Sequence, residues 1–512
     1  MAYIGNLFRE AGAFYIKRSF MEEDLYWAVF QEYVHVLVCK ESAPLEFFLE
    51  GTRSRTGKSL RPKLGLLGCV CQCCWRQHAS DVYLVPINIS YSRTLEEEIY
   101  AYELLGVPKP KESTSGLFKA KSILSEKYGN IFVHVGAAQC AHQSDLVQTN
   151  CSVSTNLEPL SPTEISAVER IGLRLVREQQ SLAVVSSFSL AAHYLLQSLT
   201  FLDFPLVSYE KLLSHVCSLL ECTKRAGHGG AGLLRWEGQG LTDSVDEVLR
   251  SSLLLHRNII DFTDDGKFLK FQLLGFKQGE NANTSVENSL DSRVLGLMLQ
   301  HYANQSVHAF VRPALVWQAA KSLATTGSAT TSQEPPTYYV SEHELKTRFM
   351  EMLSLFGHDF IFCRNCEEQD FNEGLERLCM YDCVDRKNGV LHLRSPSDPQ
   401  PVVSTFVTCL KPFMLTYSCA VKVAVTQEWG SEDALVKATQ LCIESDLRAM
   451  CGPPSAVSLD AIRNSVRALS KCGALRWLRN GSPATLTPSQ PQLETVTRLL
   501  AEARPAAPTA RL

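Results

Sequence analysis

The feature that most constrains the fold is an alternation confined to the first 145 residues. Segments with helical spacing interleave with apolar runs too short to be helices. Tyr26, Phe30, Tyr33 and Leu37 recur every three or four residues, as on one face of a helix. After Pro44 the run "LEFFL" (Leu45 to Leu49) reads as a short buried strand. "VYLVPINISY" (Val82 to Tyr91) sets Val85, Ile87, Ile89 and Tyr91 against Pro86, Asn88 and Ser90. That is the two-residue period of a strand with one buried face. Leu117, Ala120 and Leu124 mark another helix, stopped by Gly129, and "IFVHV" (Ile131 to Val135) follows as a strand. Helices alternating with short strands predict an α/β domain over residues 1–145.

The pattern then changes. Residues 146–160 are polar and contain proline, as a linker does. Ser161, Pro162 and Glu164 predict a capped helix start, with Ile165, Val168, Gly172 and Leu175 on one face. Residues 161–321 read as mainly helical, 322–341 as a Ser/Thr/Pro-rich linker, and 342–483 as a second helical stretch opened by Leu345, Phe349, Met352 and Phe356. Residues 484–512 read as a Pro/Ala-rich flexible tail. The fold class expected is therefore an α/β domain followed by a mainly α-helical C-terminal region.

Composition excludes some functions. Hydrophobic residues at 45% and charged residues at 20% exclude global disorder. A net charge of -4 excludes a general nucleic-acid binder, so any anion site must be local. The 18 cysteines, with no secretory signal after Met1, read as reduced and mostly buried. The most apolar run, Ser181 to Leu202, carries Ser, His, Gln and Thr. It reads as a buried helix, with an interfacial membrane helix as the alternative.

Chemistry concentrates where the run Leu45 to Leu49 ends. In "FFLEGTRSRTGK" (Phe47 to Lys58), Glu50 and Gly51 are followed by Arg53, Arg55 and Lys58. Ligands of open α/β sheets bind just beyond the carboxyl ends of strands. Gly51 allows a sharp turn, the guanidinium forks match phosphate oxygens, and Lys58 adds a point charge. The alternative is a set of solvated loop charges with Glu50 paired locally. Upstream, "GAFYIKR" (Gly12 to Arg18) also ends an apolar run in cations. Two such ends predict one shared anion pocket.

"GAFYIKR", "FFLEGTRSRTGK" and "LVPINISY" resemble, in that order, the second, third and fourth sequence blocks of the glycerolipid acyltransferase family. "YAYELLGVPKPKEST" (Tyr100 to Thr114) and the spacing between blocks narrow the resemblance to members that acylate dihydroxyacetone phosphate. The helical remainder is similar to their C-terminal region. The resemblance implies that Arg18, Glu50, Gly51, Thr52, Arg53 and Ser54 grip the acceptor phosphate. Pro86 then belongs to the acyl-donor side or to catalysis. It also implies transfer of a long-chain acyl group from acyl-CoA to dihydroxyacetone phosphate, the first step of ether phospholipid (plasmalogen) synthesis. Acyl-CoA is a substrate there, so no cofactor and no metal are expected. The implied partner is alkyl-dihydroxyacetone phosphate synthase, and the implied place is the lumenal side of the peroxisome, bound peripherally to its membrane. The final residues Ala510, Arg511 and Leu512 have the form of a peroxisomal address read by the import receptor.

The family's first block, His-x4-Asp, supplies a general base and the carboxylate that orients it. This sequence starts just before the second block, so the α/β domain is expected to be incomplete at its amino end and to hold no catalytic pair. "HRNIID" (His256 to Asp261) has the spacing but lies in the helical region, and reads as a coincidence. A second reading therefore stays open: a catalytically silent homologue or fragment that binds a phosphate ligand or a partner enzyme without turnover. "CVCQCCW" with His78, and Cys363, Cys366, Cys379 and Cys383, read as structural thiols rather than metal ligands. "HGGAGLL" (His228 to Leu234) lacks the lysine and the preceding strand of a nucleotide-phosphate loop.

Overall fold

The computed structural model describes residues 2–17, 23–41, 43–76, 79, 81–108, 126–141, 159–199, 205–227, 235–238, 244–272, 284–324, 338–387, 389–393, 400–450, 452–478 and 485–500. Arg18, His78, the expected helix at Leu117 to Leu124 and the terminal Ala510, Arg511 and Leu512 lie outside these residues.

In chain order the first elements are α1 (Ala2–Glu10), α2 (Asp24–Cys39), α3 (Leu64–Trp75), β1 (Tyr83–Leu84), β2 (Ile87–Tyr91), α4 (Glu97–Leu104), β3 (Ile131–Val135) and β4 (Gln139–Cys140). The helices α5 (Pro162–Leu182), α6 (Ser187–Ser198), α7 (Tyr209–Gly227), α8 (Val245–Leu255), α9 (Thr284–Ala324), α10 (Glu342–Leu355), α11 (Glu367–Met380), α12 (Pro401–Ala424), α13 (Glu432–Met450), α14 (Leu459–Lys471) and α15 (Gln490–Leu499) follow. The chain divides into two compact units. One comprises Met1–Gly51, Pro62–Val85 and Ala137–Gly172; the other comprises Thr52–Arg61, Pro86–Gly136 and Leu173–Leu512.

In the first unit α2 packs on α3, burying Phe30 and Val34. The buried amides of Gln31 and Gln72 satisfy each other across that contact at 3.3 Å. Every residue of α3 from Leu67 to Trp75 is buried, so its cysteines are core atoms. Burial pushes the Cys69 and Cys71 thiols up to about 12, which keeps them protonated. The expected strand at Leu45 to Leu49 is not one. The segment has no regular structure, enters a turn at Leu49 and joins no sheet ladder among the described residues, and Phe48 is 78% exposed. Strand identity needs a hydrogen-bonding neighbour as well as an apolar run, and here the Phe48 carbonyl closes a local turn with the Gly51 N–H at 3.1 Å while the Leu49 carbonyl accepts the Lys63 N–H at 2.8 Å. β1 pairs antiparallel with β4. The capping box expected at Ser161 is formed. Its N–H donates to Glu164 Oε2 at 2.7 Å, and its hydroxyl accepts the Glu164 N–H at 3.3 Å.

In the second unit β2 and β3 form an antiparallel pair with Ile87 opposite Val135, Ile89 opposite Val133 and Tyr91 opposite Ile131. The period expected of "VYLVPINISY" is present, but its burial is reversed. All six of those apolar residues lie on one exposed face, from 40% at Ile87 to 65% at Ile131 and Val135. The polar side of β2 makes the anchoring contacts. Ser90 Oγ accepts the Val184 N–H at 3.0 Å, and the Ile87 carbonyl accepts Gln179 Nε2 at 3.1 Å. The expected single strand is also split between β1 and β2 at Pro86, which has no N–H to give to a ladder.

The helical body has one hydrophobic core threaded by α9. At 41 residues α9 is about 60 Å long. It packs against α4, α6, α10, α11 and α12, and is buried all round along most of its length. Pro313 lies inside it and cannot bond the Ala309 carbonyl. Arg377 of α11 fills that vacancy with a 2.8 Å hydrogen bond. α6 is the central part of the Ser181 to Leu202 run, and Phe188, Leu190, Ala191, Ala192 and Leu195 on it are fully buried, as a core helix requires. Leu345, Phe349, Met352 and Phe356 are buried as their spacing predicts. α12 is long and apolar enough to cross a membrane, yet 72% of its apolar window is buried inside the protein. Its Thr405, Thr408 and Thr416 hydroxyls donate back to carbonyls one turn earlier, which removes their need for water.

Candidate functional site

Residues Thr52–Arg61 are a loop of the second unit. Its three leading cations meet three different fates. Lys58 is 4% exposed. Its ammonium sits 3.1 Å from Asp359 Oδ1 and 4.4 Å from the centre of the Phe413 ring. A charge so enclosed is a structural ion, and the sequence reading of Lys58 as a phosphate ligand is corrected here. Arg55 folds back over its own loop. It donates to the Arg53 carbonyl at 2.7 Å, to Thr52 Oγ1 at 3.1 Å and to Glu103 of α4 at 2.9 Å. Arg53 remains open to solvent, with its side chain 63% exposed and Nη1 2.5 Å from Glu96. Tyr100 Oη donates to the same Glu96 oxygen, and burial with that bond pushes the phenol up to about 12.

An exposed ion pair is worth about 0–1 kcal/mol. A charged hydrogen bond to phosphate is worth about 1.5–3 kcal/mol. Of the loop's ion pairs with Glu96 and Asp359, Arg53–Glu96 is the exposed and weakly held one. Lys58–Asp359 is the enclosed one.

The loop backbone is held by α9. His301 Nδ1 lies 3.0 Å from the Arg55 carbonyl, and its Nε2 lies 3.2 Å from Thr94 Oγ1. A carbonyl only accepts, so Nδ1 carries the proton and Nε2 accepts from the threonine. Asn304 Nδ2 donates to the Thr56 carbonyl at 2.8 Å. Behind it Ser455 Oγ donates to Gln300 Oε1 at 3.1 Å and Gln300 Nε2 donates to Asn304 Oδ1 at 2.8 Å, which fixes the amide orientation. Gly57 has φ +75°, and a Cβ there would stand 2.1 Å from the His301 carbonyl oxygen. A small cavity beneath the loop is lined by Thr56, Lys58, His301, Asn304, Phe413 and Ser458, among others. Beside the loop, Glu97 is buried and receives Tyr302 Oη, Asn258 Nδ2 at 2.7 Å and Arg93 Nε at 3.1 Å. Burial pushes its carboxyl up, and those donors oppose the rise.

The other expected site residues fall as follows. Glu50 and Gly51 belong to the first unit, and Thr52, Arg53 and Ser54 to the second. Gly51 adopts φ +68°, a left-handed turn that glycine makes without strain. Ser54 Oγ lies 3.3 Å from Thr56 Oγ1. Pro86 is buried against Gly136, whose N–H donates to its carbonyl at 2.8 Å. The sequence reading missed His301, Asn304, Gln300 and Asp359. A polar "HYAN" step inside an apolar helix, and a lone acid in "GHDF" between phenylalanines, were the available signals.

His256 and Asp261 do not form a catalytic pair. His256 is fully buried, stacked on Phe188 at 3.8 Å, and donates from Nδ1 to the Ser252 carbonyl at 2.7 Å. Asp261 instead faces Arg257 at 3.5 Å. Burial lowers His256 to about 3, against about 6.5 in an unfolded chain. A depressed histidine contributes stability above pH 6.5 and loses it as pH falls toward 3. Between pH 7 and pH 5 the wild-type chain should lose about 2 kcal/mol more unfolding free energy than His256→Leu. Denaturant titrations at both pH values measure this, and equal losses would reject the burial account.

Among the described residues Cys419, Cys442 and Asp446 form a grouping of metal-ligand types. Lys422 already engages both Asp446 oxygens, at 3.0 and 3.3 Å, so the carboxylate is spoken for.

Comparison with known proteins now decides the family. The profile described as "Glycerol-3-phosphate acyltransferase C-terminal region" matches residues 100–476. The chain belongs to that family. A second profile, "Acyltransferase", matches residues 1–90. The dihydroxyacetone phosphate acyltransferase of Bos taurus is 33% identical over 84% of this chain and 58% of its own length. That of Homo sapiens is 33% identical over the same shares. A glycerol-3-phosphate acyltransferase of Ectopseudomonas mendocina is 44% identical over 27% of this chain and 16% of its own length. The chain thus spans little more than half the length of its mammalian relatives. For this member of the glycerol-3-phosphate acyltransferase family, the cationic loop falls in the first matched region, while His301, Asn304 and Asp359 fall in the second.

Proposed function

We propose that the protein takes part in moving a long-chain acyl group from acyl-CoA to the hydroxyl of dihydroxyacetone phosphate, with Arg53 as the principal acceptor-phosphate ligand. The observation that carries this reading is Arg53 itself. Of the loop's three leading cations it is the most exposed, its side chain 63% exposed and paired with Glu96, against 32% for Arg55 and 4% for Lys58, in a chain whose mammalian relatives are named for that acceptor. Glu50, Gly51, Thr52 and Ser54 would shape the same phosphate site, with Arg18 from the preceding block. Pro86 would serve the acyl-donor side. In the transfer the acceptor oxygen bonds to the thioester carbonyl carbon, the C–S bond breaks, and the hydroxyl proton ends on the coenzyme A thiol. Acyl-CoA is consumed, so no cofactor is required. Residues 1–145 would belong to an α/β acyltransferase domain, a reading supported by the profile match over 1–90 and the antiparallel pairs β1–β4 and β2–β3. The peroxisomal lumen, peripheral membrane association, the import receptor and alkyl-dihydroxyacetone phosphate synthase complete the reading on the resemblance of the sequence blocks alone.

Arg53→Ala should weaken dihydroxyacetone phosphate binding about 10- to 100-fold and leave acyl-CoA binding unchanged. Calorimetric titration of each ligand separates the two, and equal losses for both would reject the assignment.

A second reading is binding without turnover by these 512 residues. The His-x4-Asp spacing His256 to Asp261 forms no catalytic pair, since His256 is fully buried on the Ser252 carbonyl and the partly exposed Asp261 faces Arg257. An acyl-transfer assay on these 512 residues distinguishes the readings: turnover rejects the silent one.

A further inference from the structure

The acceptor loop and the helix that grips it lie in different matched regions of the chain, yet the loop's backbone is not self-supporting. Three consecutive residues are fixed by α9. The Arg55 carbonyl is held by His301, the Thr56 carbonyl by Asn304, and Gly57 rests against the His301 carbonyl. Arg53 stands immediately before this clamp, and Arg55 ties the Arg53 carbonyl into it at 2.7 Å. The clamp residues are themselves set from behind, His301 by Thr94 and Asn304 by Gln300 and Ser455. Neither His301 nor Asn304 faces solvent, at 5% and 3% exposure, so neither is placed to touch a ligand on the Arg53 side.

We infer that His301 and Asn304 are positioning residues that hold the acceptor loop in its phosphate-binding shape, so that the helical C-terminal region sets acceptor affinity. The inference rests on the proposed acceptor role of Arg53. It gives the helical region a task in recognition: it supplies the rigid half of a site whose ligand-facing half is a loop. A guanidinium displaced by about an ångström loses its alignment to a phosphate oxygen, and misplacement of that size is felt strongly in binding and catalysis. Burial keeps the His301 imidazole neutral, which suits the single-proton arrangement of one donor and one acceptor nitrogen.

The test titrates dihydroxyacetone phosphate and, separately, palmitoyl-CoA into the 512-residue chain and its variants by calorimetry. His301→Leu removes the donor to Arg55, whereas His301→Asn keeps an N–H near the Nδ1 position. Asn304→Leu removes the donor to Thr56. Thr94→Val is a milder probe that leaves His301 in place and removes its fixing hydroxyl. His301→Leu and Asn304→Leu should weaken dihydroxyacetone phosphate about tenfold. Thr94→Val should weaken it about threefold, and His301→Asn should recover most of the loss. Palmitoyl-CoA affinity should stay within twofold throughout. A purely packing role would move both ligands together, or leave the asparagine variant as impaired as the leucine one; either result overturns the inference. Wild-type binding with unchanged affinity in all four variants also overturns it, while leaving the Arg53 reading intact. Absence of wild-type binding to dihydroxyacetone phosphate overturns both.

Discussion

Asp359→Leu should destabilise the second unit by about 3–5 kcal/mol, because it strands the Lys58 ammonium in the core. Asp359 is fully enclosed and receives three donors: Lys58 at 3.1 Å, Asn464 at 3.1 Å and Tyr417 Oη at 2.7 Å. Asp460 lies 3.9 Å from the same ammonium, too far and too exposed to replace it. The Phe413 and Phe360 rings, 4.4 and 5.4 Å from the ammonium, stabilise the cation but add no second counter-charge. Adding Lys58→Met to Asp359→Leu should recover at least about 2 kcal/mol, since an apolar pair of similar volume needs no desolvated charge. The Tyr417 and Asn464 donors left unpaired keep the double variant below wild type, at about 1–3 kcal/mol each. A double-mutant cycle by urea unfolding reads the coupling directly. A coupling under about 0.5 kcal/mol would mean that the two side chains do not share the buried site.

The same pair shows where sequence reading runs out. Lys58 and Asp359 are 301 residues apart, and Arg55 and His301 are 246 apart. Nothing local distinguishes a lysine that meets a phosphate from one that meets a distant aspartate. By contrast α2, α10 and the Ser161 cap were legible because three- and four-residue spacing and a capping box are settled within one or two turns. β2 marks an intermediate case. Its two-residue period correctly identified a strand, but a period cannot say which face is covered, and Ser90 and the Ile87 backbone turned out to make the anchoring contacts. Leu45 to Leu49 failed for a related reason: an apolar run becomes a strand only beside a partner. In the candidate site, the sharp turn at Gly51 could be read from residue type. The roles of α9 could not, because the carbonyls it holds carry no side-chain signature.

Gly57→Ala tests that grip from the side of the loop and should be as damaging as the loss of Asp359. Two effects act together. The left-handed φ of +75° strains any residue with a Cβ, at about 1–2 kcal/mol. The added methyl would also stand 2.1 Å from the His301 carbonyl oxygen, an atom of the backbone of a buried helix that cannot rotate away. Overpacking of that kind costs about 1–3 kcal/mol or more. Gly389 separates the two, because it has the same φ of +75° with nothing within 4 Å of its Cβ position. Gly389→Ala should therefore cost only the conformational share, about 1–2 kcal/mol, and Gly57→Ala about 3–5 kcal/mol. The difference between the two variants, read by urea unfolding, measures how rigidly α9 holds its place against the loop. If the two alanines cost the same, the loop yields to the methyl, and a loop that yields there cannot keep Arg53 aligned to a phosphate.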